Sequence, residues 1–168
     1  GEAEYGSKWI QRYLHNNNIV LQSLLIGEPT ASSITGDTIK VGRRGSLSGA
    51  IDVFGKQGHV AYPHRSINAI HLAAKFINAL EAHDWDKGSE DFPGTSFQAT
   101  ALDSGAFTDN MVPAKCRIHF NIRYSQVFTE QSLKHLINEI ASTILGETQE
   151  RLNIVWDRPC NAYLSQPR

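Results

Sequence analysis

The sequence predicts an α+β fold in which two helices cover one face of a four-stranded antiparallel sheet. Three features of the chain lead to this prediction. Some segments alternate between apolar and polar side chains, others carry an apolar stripe at helical spacing, and these segments follow one another in the order β-α-β-β-α-β. That order is the split βαβ arrangement of ferredoxin-like domains.

The clearest strand lies at residues 114–124, where apolar side chains occupy every second position. A period of two over this length is typical of a strand with one buried face. Residues 46–54 alternate in the same way, and shorter strand segments lie at residues 95–102 and 151–157. We therefore predict four strands, with Cys116 in the core rather than acting as a nucleophile.

Two helices are predicted between these strands. Ser66 is a suitable N-cap for the first and Thr129 for the second, and Gly146 would end the second. Each helix places its apolar residues on one stripe, which would cover the sheet. The first stripe consists of Ile67, Ile70, Ala74, Ile77 and Leu80, and the second of Leu133, Leu136, Ile137, Ile140 and Ile144.

These elements predict a domain at residues 45–157 with a different segment on each side. Residues 1–44 hold a helical spacing that ends at three asparagines, followed at residues 19–26 by an almost unbroken apolar run. Such a run suits a strand buried on both faces of a parallel sheet. Because a helix and one strand cannot close a core alone, the first segment is predicted to belong to a larger α/β domain. Residues 158–168 would return toward that domain.

The composition is that of an ordinary globular chain, with 16 basic and 17 acidic residues and a net charge of -1. This balance argues against nucleic acid or a membrane surface as the main partner. The two cysteines, Cys116 and Cys160, lie far apart and no secretory segment precedes them, which predicts a reduced, cytoplasmic chain. The chain begins at Gly1 without a methionine, so an upstream segment is expected to have been removed. An exposed edge of the predicted sheet favours pairing with a second copy.

Two segments near the domain junction carry candidate binding residues. Glu28 follows the apolar run between a glycine and a proline, where its carboxylate could bind a metal or simply lead into a solvated turn. Arg43, within a Gly-Arg-Arg-Gly-Ser sequence, offers a planar guanidinium that suits a substrate carboxylate. A basic patch at a domain linker explains the same residues equally well.

Three further candidates lie in loops or on the polar face of a strand. His59 could donate a hydrogen bond to a developing oxyanion, although an exposed histidine without a role is the usual case. Asn110 could donate to a carbonyl or shape the turn before Pro113. Arg123 lies on the polar face of its strand, where a solvent-facing charge is expected. The same expectation of a surface position applies to His64, His71, His83, His119 and His135.

Five motifs occur in one order along the chain and together resemble the M20 family of metal-dependent peptidases and deacylases. They are Gly27-Glu28-Pro29, Gly42-Arg43-Arg44-Gly45-Ser46, Gly58-His59-Val60-Ala61-Tyr62-Pro63-His64, Trp85-Asp86-Lys87-Gly88 and Asn110-Met111-Val112-Pro113. The likeness extends through nearly the whole chain. The fourth motif and the Arg-Arg-Gly-Ser junction point to the branch of succinyl-diaminopimelate desuccinylases.

The resemblance implies a catalytic domain that binds two zinc ions, or cobalt in their place, and an inserted ferredoxin-like lid that forms a homodimer. Glu28 matches a glutamate that binds one zinc. His59 matches a lid histidine that enters the partner subunit's active site and stabilises the tetrahedral oxyanion. Asp109 departs from the asparagine common in close relatives. The positions that match contacts to the substrate, N-succinyl-diaminopimelate, are Arg43, Ser46, Tyr62, Asn110 and Arg123.

Most of the family's metal ligands are absent from the chain, namely the H-x-D motif, the bridging aspartate, the acidic segment and the final histidine. One glutamate cannot hold two zinc ions, since each needs about four ligands. The chain alone is therefore predicted to bind no zinc and to be inactive. Two alternatives stay open, another M20 deacylase or carboxypeptidase such as an acetylornithine deacetylase, and a free-standing ferredoxin-like interaction module.

Overall fold

The computed structural model describes residues 6–105, 107–145 and 151–165. The chain divides into two units, the first ending at Ile39 and the second beginning at Lys40. Within the described ranges, no helix has the length and apolar character needed to cross a membrane.

The first unit contains one helix among its described residues, α1 at Gly6–Asn16. Residues 2–5 of the predicted helix lie outside the described residues. The Tyr13 carbonyl accepts hydrogen bonds from the backbone amide of Asn17 at 3.1 Å and from its side-chain amide at 2.8 Å. Asn18 then adopts a left-handed conformation with φ of 52°. The asparagine run therefore ends the helix, as predicted, because its side chains and backbone satisfy the last carbonyls.

The strand predicted at residues 19–26 is not formed, which corrects the sequence-based expectation. The side chains of this apolar run are exposed, with Val20 at 90% and Leu25 at 92%. A strand requires a neighbour that accepts and donates its backbone hydrogen bonds. No described strand pairs with residues 19–26, so the apolar sequence alone does not produce a strand here.

The second unit contains the predicted α+β arrangement. Its four-stranded antiparallel sheet has the spatial order Ser96–Asp103 (β4), Lys115–Tyr124 (β6), Gly45–Phe54 (β2) and Leu152–Cys160 (β7), so the two central strands are the first and third along the β-α-β-β-α-β chain. This is the spatial order of a split βαβ fold, and it confirms the predicted fold class. The elements are β2 at Gly45–Phe54, α2 at Ala69–Ala82, β4 at Ser96–Asp103, β6 at Lys115–Tyr124, α3 at Glu130–Leu145 and β7 at Leu152–Cys160.

Two short antiparallel ribbons extend from the sheet domain. Strand β1 at Gly42–Arg43 pairs with β8 at Tyr163–Leu164. Strand β3 at Gly58–His59 pairs with β5 at Met111–Val112. A single 3-10 turn at Pro63–Arg65 lies between β3 and α2. Each ribbon therefore joins segments that are far apart in sequence.

The core lies between one face of the sheet and the two helices. Alternate residues of β6 are buried, as the period of two predicts, and Cys116 is among them. Burial raises the pKa of its thiol, which keeps the thiol protonated. Cys116 is thus a core residue, as expected from its position in the strand. The largest fully buried side chains include Leu47, Ile51, Phe76, Leu80, Ile118, Ile122, Tyr124, Leu133 and Ile137.

Helix α2 begins later than predicted, with Asn68 rather than Ser66 as its N-cap. The Asn68 side chain accepts hydrogen bonds from the backbone amides of Ile70 and His71 at 2.9 and 3.3 Å. Ile67 exchanges both of its backbone hydrogen bonds with Lys56, at 2.8 and 2.9 Å, and so is held in an extended conformation. The buried face is rotated accordingly, and the predicted stripe residues Ile70 and Ala74 are exposed. The buried residues of α2 are Ala69, Ala73, Phe76 and Leu80.

Helix α3 begins as predicted at Thr129. The Thr129 hydroxyl accepts from the backbone amide of Ser132 at 3.1 Å, and the Ser132 hydroxyl accepts from the backbone amide of Thr129 at 2.9 Å. This reciprocal pair satisfies two amide groups that a helix N-terminus leaves without partners. Gly146, the predicted end of the helix, lies outside the described residues.

The open face of the sheet carries a buried ion pair that the strand pattern did not predict. Asp52 lies between the apolar residues Ile51 and Val53, and this alternation places it on the polar face of the strand, yet it is only 4% exposed. Its carboxylate accepts two hydrogen bonds from the Arg117 guanidinium, at 2.6 and 2.7 Å, and lies 3.1 Å from the Lys115 ammonium. The hydrogen bonds from Arg117 are the main reason that the pKa of Asp52 is lowered to about 2.

We expect Asp52→Asn to lower the free energy of unfolding by about 1–3 kcal/mol at pH 7, since it removes a charge-assisted pair. The folded-state pKa of Asp52 is depressed, so its contribution is present above the ordinary aspartate value and is lost as the pH falls from about 4 toward 2. Urea unfolding of both proteins at several pH values measures this difference.

Asp157→Asn is the matched control, because Asp157 is exposed and its carboxylate pairs with the neighbouring Arg158. We expect it to change the free energy of unfolding by less than about 1 kcal/mol. A gap between wild type and Asp52→Asn that stays constant down to pH 2 would contradict the assigned role of Asp52.

Candidate functional site

His59 and Asn110 are brought together by the ribbon of β3 and β5. His59 lies directly opposite Met111 in this ribbon, and the Val60 amide donates to the Asn110 carbonyl at 3.0 Å. Gly58 is required here, because a Cβ at this position would lie 2.7 Å from the Cβ of Ser66. Two candidates that are 51 positions apart in sequence therefore form one exposed group.

The loop that follows His59 holds the imidazole from one side. The Ala61 amide donates to Nδ1 of His59 at 3.1 Å. The Tyr62 ring lies 5.9 Å from the imidazole, and the Arg65 guanidinium stacks 5.4 Å from the centre of the Tyr62 ring. Tyr62 thus joins the group of His59 and Asn110, as an exposed aromatic side chain beside them. We call His59, Tyr62 and Asn110 the histidine group.

Ser46 and Arg123 face each other across β2 and β6. The Asn121 side-chain amide donates to the hydroxyls of Ser46 at 3.1 Å and Ser48 at 2.9 Å, which fixes Ser46 on the open face of the sheet. Arg123 is exposed beside it. We call Arg43, Ser46 and Arg123 the arginine group. Ser46 lies near the Gly45 end of β2, Arg123 lies opposite it on β6, and Arg43 lies just before β2 in the chain.

Arg43 lies in the short ribbon of β1 and β8, opposite Tyr163, and its guanidinium contacts the Cys160 sulfur. The next residue, Arg44, donates to the Gly94 carbonyl at 2.8 Å. Gly94 belongs to the loop between α2 and β4, whose turn Asp86 closes by accepting from the backbone amide of Thr95 at 3.1 Å. Sequence reasoning did not assign these roles to Arg44 and Asp86, because both partners are main-chain groups, 50 and nine positions away, which no residue pattern identifies.

The histidine group and the arginine group lie at opposite ends of the sheet. In the pairing of β2 with β6, Gly45 faces Tyr124 at one end and Phe54 faces Lys115 at the other. The ten residues of β2 span about 30 Å, at about 3.4 Å per residue. His59 lies beyond Phe54, whereas the arginine group lies at the Gly45 end. One small ligand therefore cannot contact both groups of the same chain.

Glu28 lies in the first unit and is exposed. The loop that follows it is closed on itself, since the Thr30 hydroxyl donates to the Thr38 carbonyl at 3.0 Å. Inside this loop the Asp37 carboxylate accepts from the backbone amides of residues 32–34 at 2.8 to 3.0 Å. These bonds hold the pKa of Asp37 well below its ordinary value. Apart from its serines and glycine, this loop has no residue pattern that would predict its closed conformation.

The described residues do not form a metal site on their own. Across residues 6–105, 107–145 and 151–165, no three His, Cys, Asp or Glu side chains are grouped so that they could hold a metal ion. A zinc ion needs about four ligands, and Glu28 supplies one carboxylate. A metal bound by Glu28 would require further ligands from outside these residues.

The profile of the M20 peptidase dimerisation domain matches residues 41–149. The chain belongs to this family. The matched region of the dimerisation domain includes the whole histidine group and all of the arginine group. Residues 1–40 and the end of the chain lie outside the match.

Curated relatives of this dimerisation domain are named desuccinylases. The chain is 53% identical over 99% of its length to "Succinyl-diaminopimelate desuccinylase 1" of Alteromonas mediterranea, and it covers 42% of that protein. It is 46% identical, again over 99% of its length, to "Succinyl-diaminopimelate desuccinylase 2" of Shewanella loihica and covers 44% of it. The chain thus spans less than half the length of these relatives.

Solved structures with the same fold include larger hydrolases of low sequence identity. A tripeptidase from Staphylococcus aureus superposes with a TM-score of 0.58 at 16% identity, over 75% of this chain and 32% of that one. The aminopeptidase PepT from Bacillus cereus superposes with a TM-score of 0.54 at 14% identity, over 76% of this chain and 32% of that one. These matches support the fold of the dimerisation domain.

Proposed function

We propose that this chain is the dimerisation segment of a metal-dependent amide hydrolase. Its reaction would convert N-succinyl-LL-2,6-diaminopimelate and water to succinate and LL-2,6-diaminopimelate, a precursor of lysine and of the cell wall. The observation that carries this proposal is the 53% identity to a protein named as a desuccinylase, which extends over 99% of the chain. The two free cysteines, Cys116 and Cys160, fit a cytoplasmic enzyme.

The separation of the two groups supports a site that is shared between subunits. Since one ligand cannot span about 30 Å along β2, the arginine group of one subunit would act with the histidine group of the other. Arg43 and Arg123 suit the carboxylates of the substrate, because a guanidinium binds a carboxylate through two parallel hydrogen bonds. His59 from the partner would donate a hydrogen bond to the tetrahedral oxyanion of amide hydrolysis.

The homodimer would form through the edge strand β4 rather than through β7. Strand β7 carries Asp157, Arg158 and Pro159 just before its last residue, and charged residues and proline protect an edge from pairing. Strand β4 is uncharged until its last residue, Asp103. Its Leu102 is 57% exposed. Helix α2 packs beside β4 and would extend the contact.

The flanking segments would belong to a catalytic domain completed by residues outside this chain. Residues 1–44 would be a partial flank of that domain, residues 45–157 the lid, and residues 158–168 the return segment. The exposed apolar side chains at residues 19–26 support this proposal, because exposed runs of this kind usually mark contact surfaces. Glu28 would supply one ligand to a zinc or cobalt centre there, and the chain alone would be inactive.

A substrate comparison tests the proposed reaction. We expect the complete protein to hydrolyse N-succinyl-diaminopimelate with a kcat/KM at least about 100-fold above that for N-acetylornithine, since N-acetylornithine carries fewer carboxylates and would leave an arginine of the site without a partner. The reverse preference would indicate an acetylornithine deacetylase-like enzyme. No hydrolysis of either compound, together with a sheet domain that stays monomeric, would favour a free-standing interaction module.

A further inference from the structure

We propose that the main-chain amide of Ala61 holds His59 as the tautomer with its proton on Nε2. This inference builds on the proposed function, in which His59 is a hydrogen-bond donor to an oxyanion. It adds that the donor nitrogen is selected within one chain, before the subunit meets a partner or a substrate.

The backbone around His59 is fixed by bonds on both sides. Strand β3 pairs His59 with Met111, and the Val60 amide donates to Asn110 at 3.0 Å. The Tyr62 amide donates back to the His59 carbonyl at 2.9 Å, which closes a tight turn. The Ala61 amide therefore has a defined position and direction relative to the imidazole, only two residues away from it.

The contact at Nδ1 determines which nitrogen carries the proton. The Ala61 N–H donates to Nδ1 at 3.1 Å, and a hydrogen bond in this direction requires a lone pair on Nδ1. In a neutral imidazole one nitrogen is a donor and the other an acceptor, so the proton is on Nε2. Among the described residues, none accepts a hydrogen bond from Nε2 of His59, and the side chain is exposed. Nε2 is thus available as a donor.

The choice of tautomer decides what His59 can bind. With the proton on Nε2, the exposed nitrogen attracts a carbonyl oxygen or an oxyanion. With the proton on Nδ1, the exposed nitrogen would present a lone pair and repel the same oxygen. The second ring nitrogen of a functional histidine commonly sets the tautomer through its own partner. Here that partner is a main-chain group, so Ala61 is a positioning residue through its amide and not through its side chain.

Nitrogen NMR on the uniformly ¹⁵N-labelled chain tests the inference directly. At about pH 8.5, two units above the ordinary histidine pKa, we expect Nδ1 of His59 to give the chemical shift of an unprotonated nitrogen and Nε2 that of a protonated one. A scalar coupling between the Ala61 amide nitrogen and Nδ1 is expected across the hydrogen bond. His64, in the same loop, is the internal control, and its two ring nitrogens should show chemical shifts averaged over both tautomers. A proton on Nδ1 of His59 overturns the proposal.

A pair of variants at Ala61 separates the amide from the side chain. Ala61→Pro removes the N–H, so the two ring-nitrogen chemical shifts of His59 should move toward the values averaged over both tautomers that are expected for His64. Ala61→Gly keeps the N–H and should leave the ring-nitrogen chemical shifts of His59 unchanged. An unchanged tautomer in Ala61→Pro overturns the proposal. If Ala61→Pro disrupts the signals of β3 and β5, the test rests on the wild-type chain. There, a scalar coupling between the Ala61 amide nitrogen and Nδ1 of His59 supports the proposal, and its absence overturns the proposal.

The outcome is independent of catalysis. A proton on Nε2 together with normal turnover after loss of the His59 side chain would leave this inference standing and remove His59 from the proposed reaction. A proton on Nδ1 together with a large loss of turnover would overturn this inference and keep His59 in the proposed reaction.

Discussion

His59→Ala is expected to lower the kcat of the complete protein by roughly 10²–10³-fold, the usual effect of removing one donor to an oxyanion. The dimer should remain intact, because His59 is exposed in the ribbon of β3 and β5 and its backbone bonds do not depend on its side chain. His64→Ala is the matched control in the same loop and should keep near-normal turnover. Steady-state kinetics and light scattering measure the two effects.

Mixed dimers show whether His59 acts on the partner's substrate. His59→Ala and Arg123→Ala should each be nearly inactive as homodimers. If the two groups meet across the interface, a mixed dimer would contain one intact site. That site would combine Arg123 of the His59→Ala subunit with His59 of the Arg123→Ala subunit. Equal mixing should then restore about a quarter of wild-type activity, by statistical assortment in a two-fold dimer. If both groups acted within one subunit, mixing would restore none.

Leu102→Lys is expected to dissociate the dimer, raising its Kd by roughly 100-fold or more. In a two-fold interface the substitution places like charges close together at the edge of β4, which costs several kcal/mol. Leu102 is 57% exposed, so the change should not disturb the core of the subunit. Analytical ultracentrifugation over a range of concentrations measures the dissociation.

Val155→Lys is the matched control for this experiment. Val155 is a similarly exposed apolar residue, at 52%, on the opposite edge strand β7. We expect Val155→Lys to leave the dimer unchanged. The opposite pattern, with Val155→Lys monomeric and Leu102→Lys dimeric, would assign the interface to β7. Because the site is proposed to be shared, Leu102→Lys should also lose turnover at concentrations where it is monomeric.

The sequence determined those features of this protein that depend on neighbouring residues. The alternation at residues 114–124 predicted β6, since a strand with one buried face repeats every two residues. Thr129 predicted the start of α3, because its cap involves only Ser132, three residues later. The order of these local elements was enough to predict the fold class.

The tertiary structure alone decided the features that depend on distant partners. The apolar residues 19–26 form no strand, because no described strand pairs with them. Helix α2 starts at Ala69 because Lys56 holds Ile67 in an extended conformation. Asp52 is buried because Arg117, 65 positions later, reaches it across the sheet.

The same distinction applies to the candidate site. The residue types and motifs indicated His59, Asn110, Ser46 and Arg123 as candidates, but they could not indicate which of them lie together. Pairing of β3 with β5 places His59 beside Asn110, and pairing of β2 with β6 places Ser46 opposite Arg123. The length of β2 then separates the two pairs by about 30 Å. Strand pairing, which no local pattern contains, is thus the physical reason to expect a site built from two subunits.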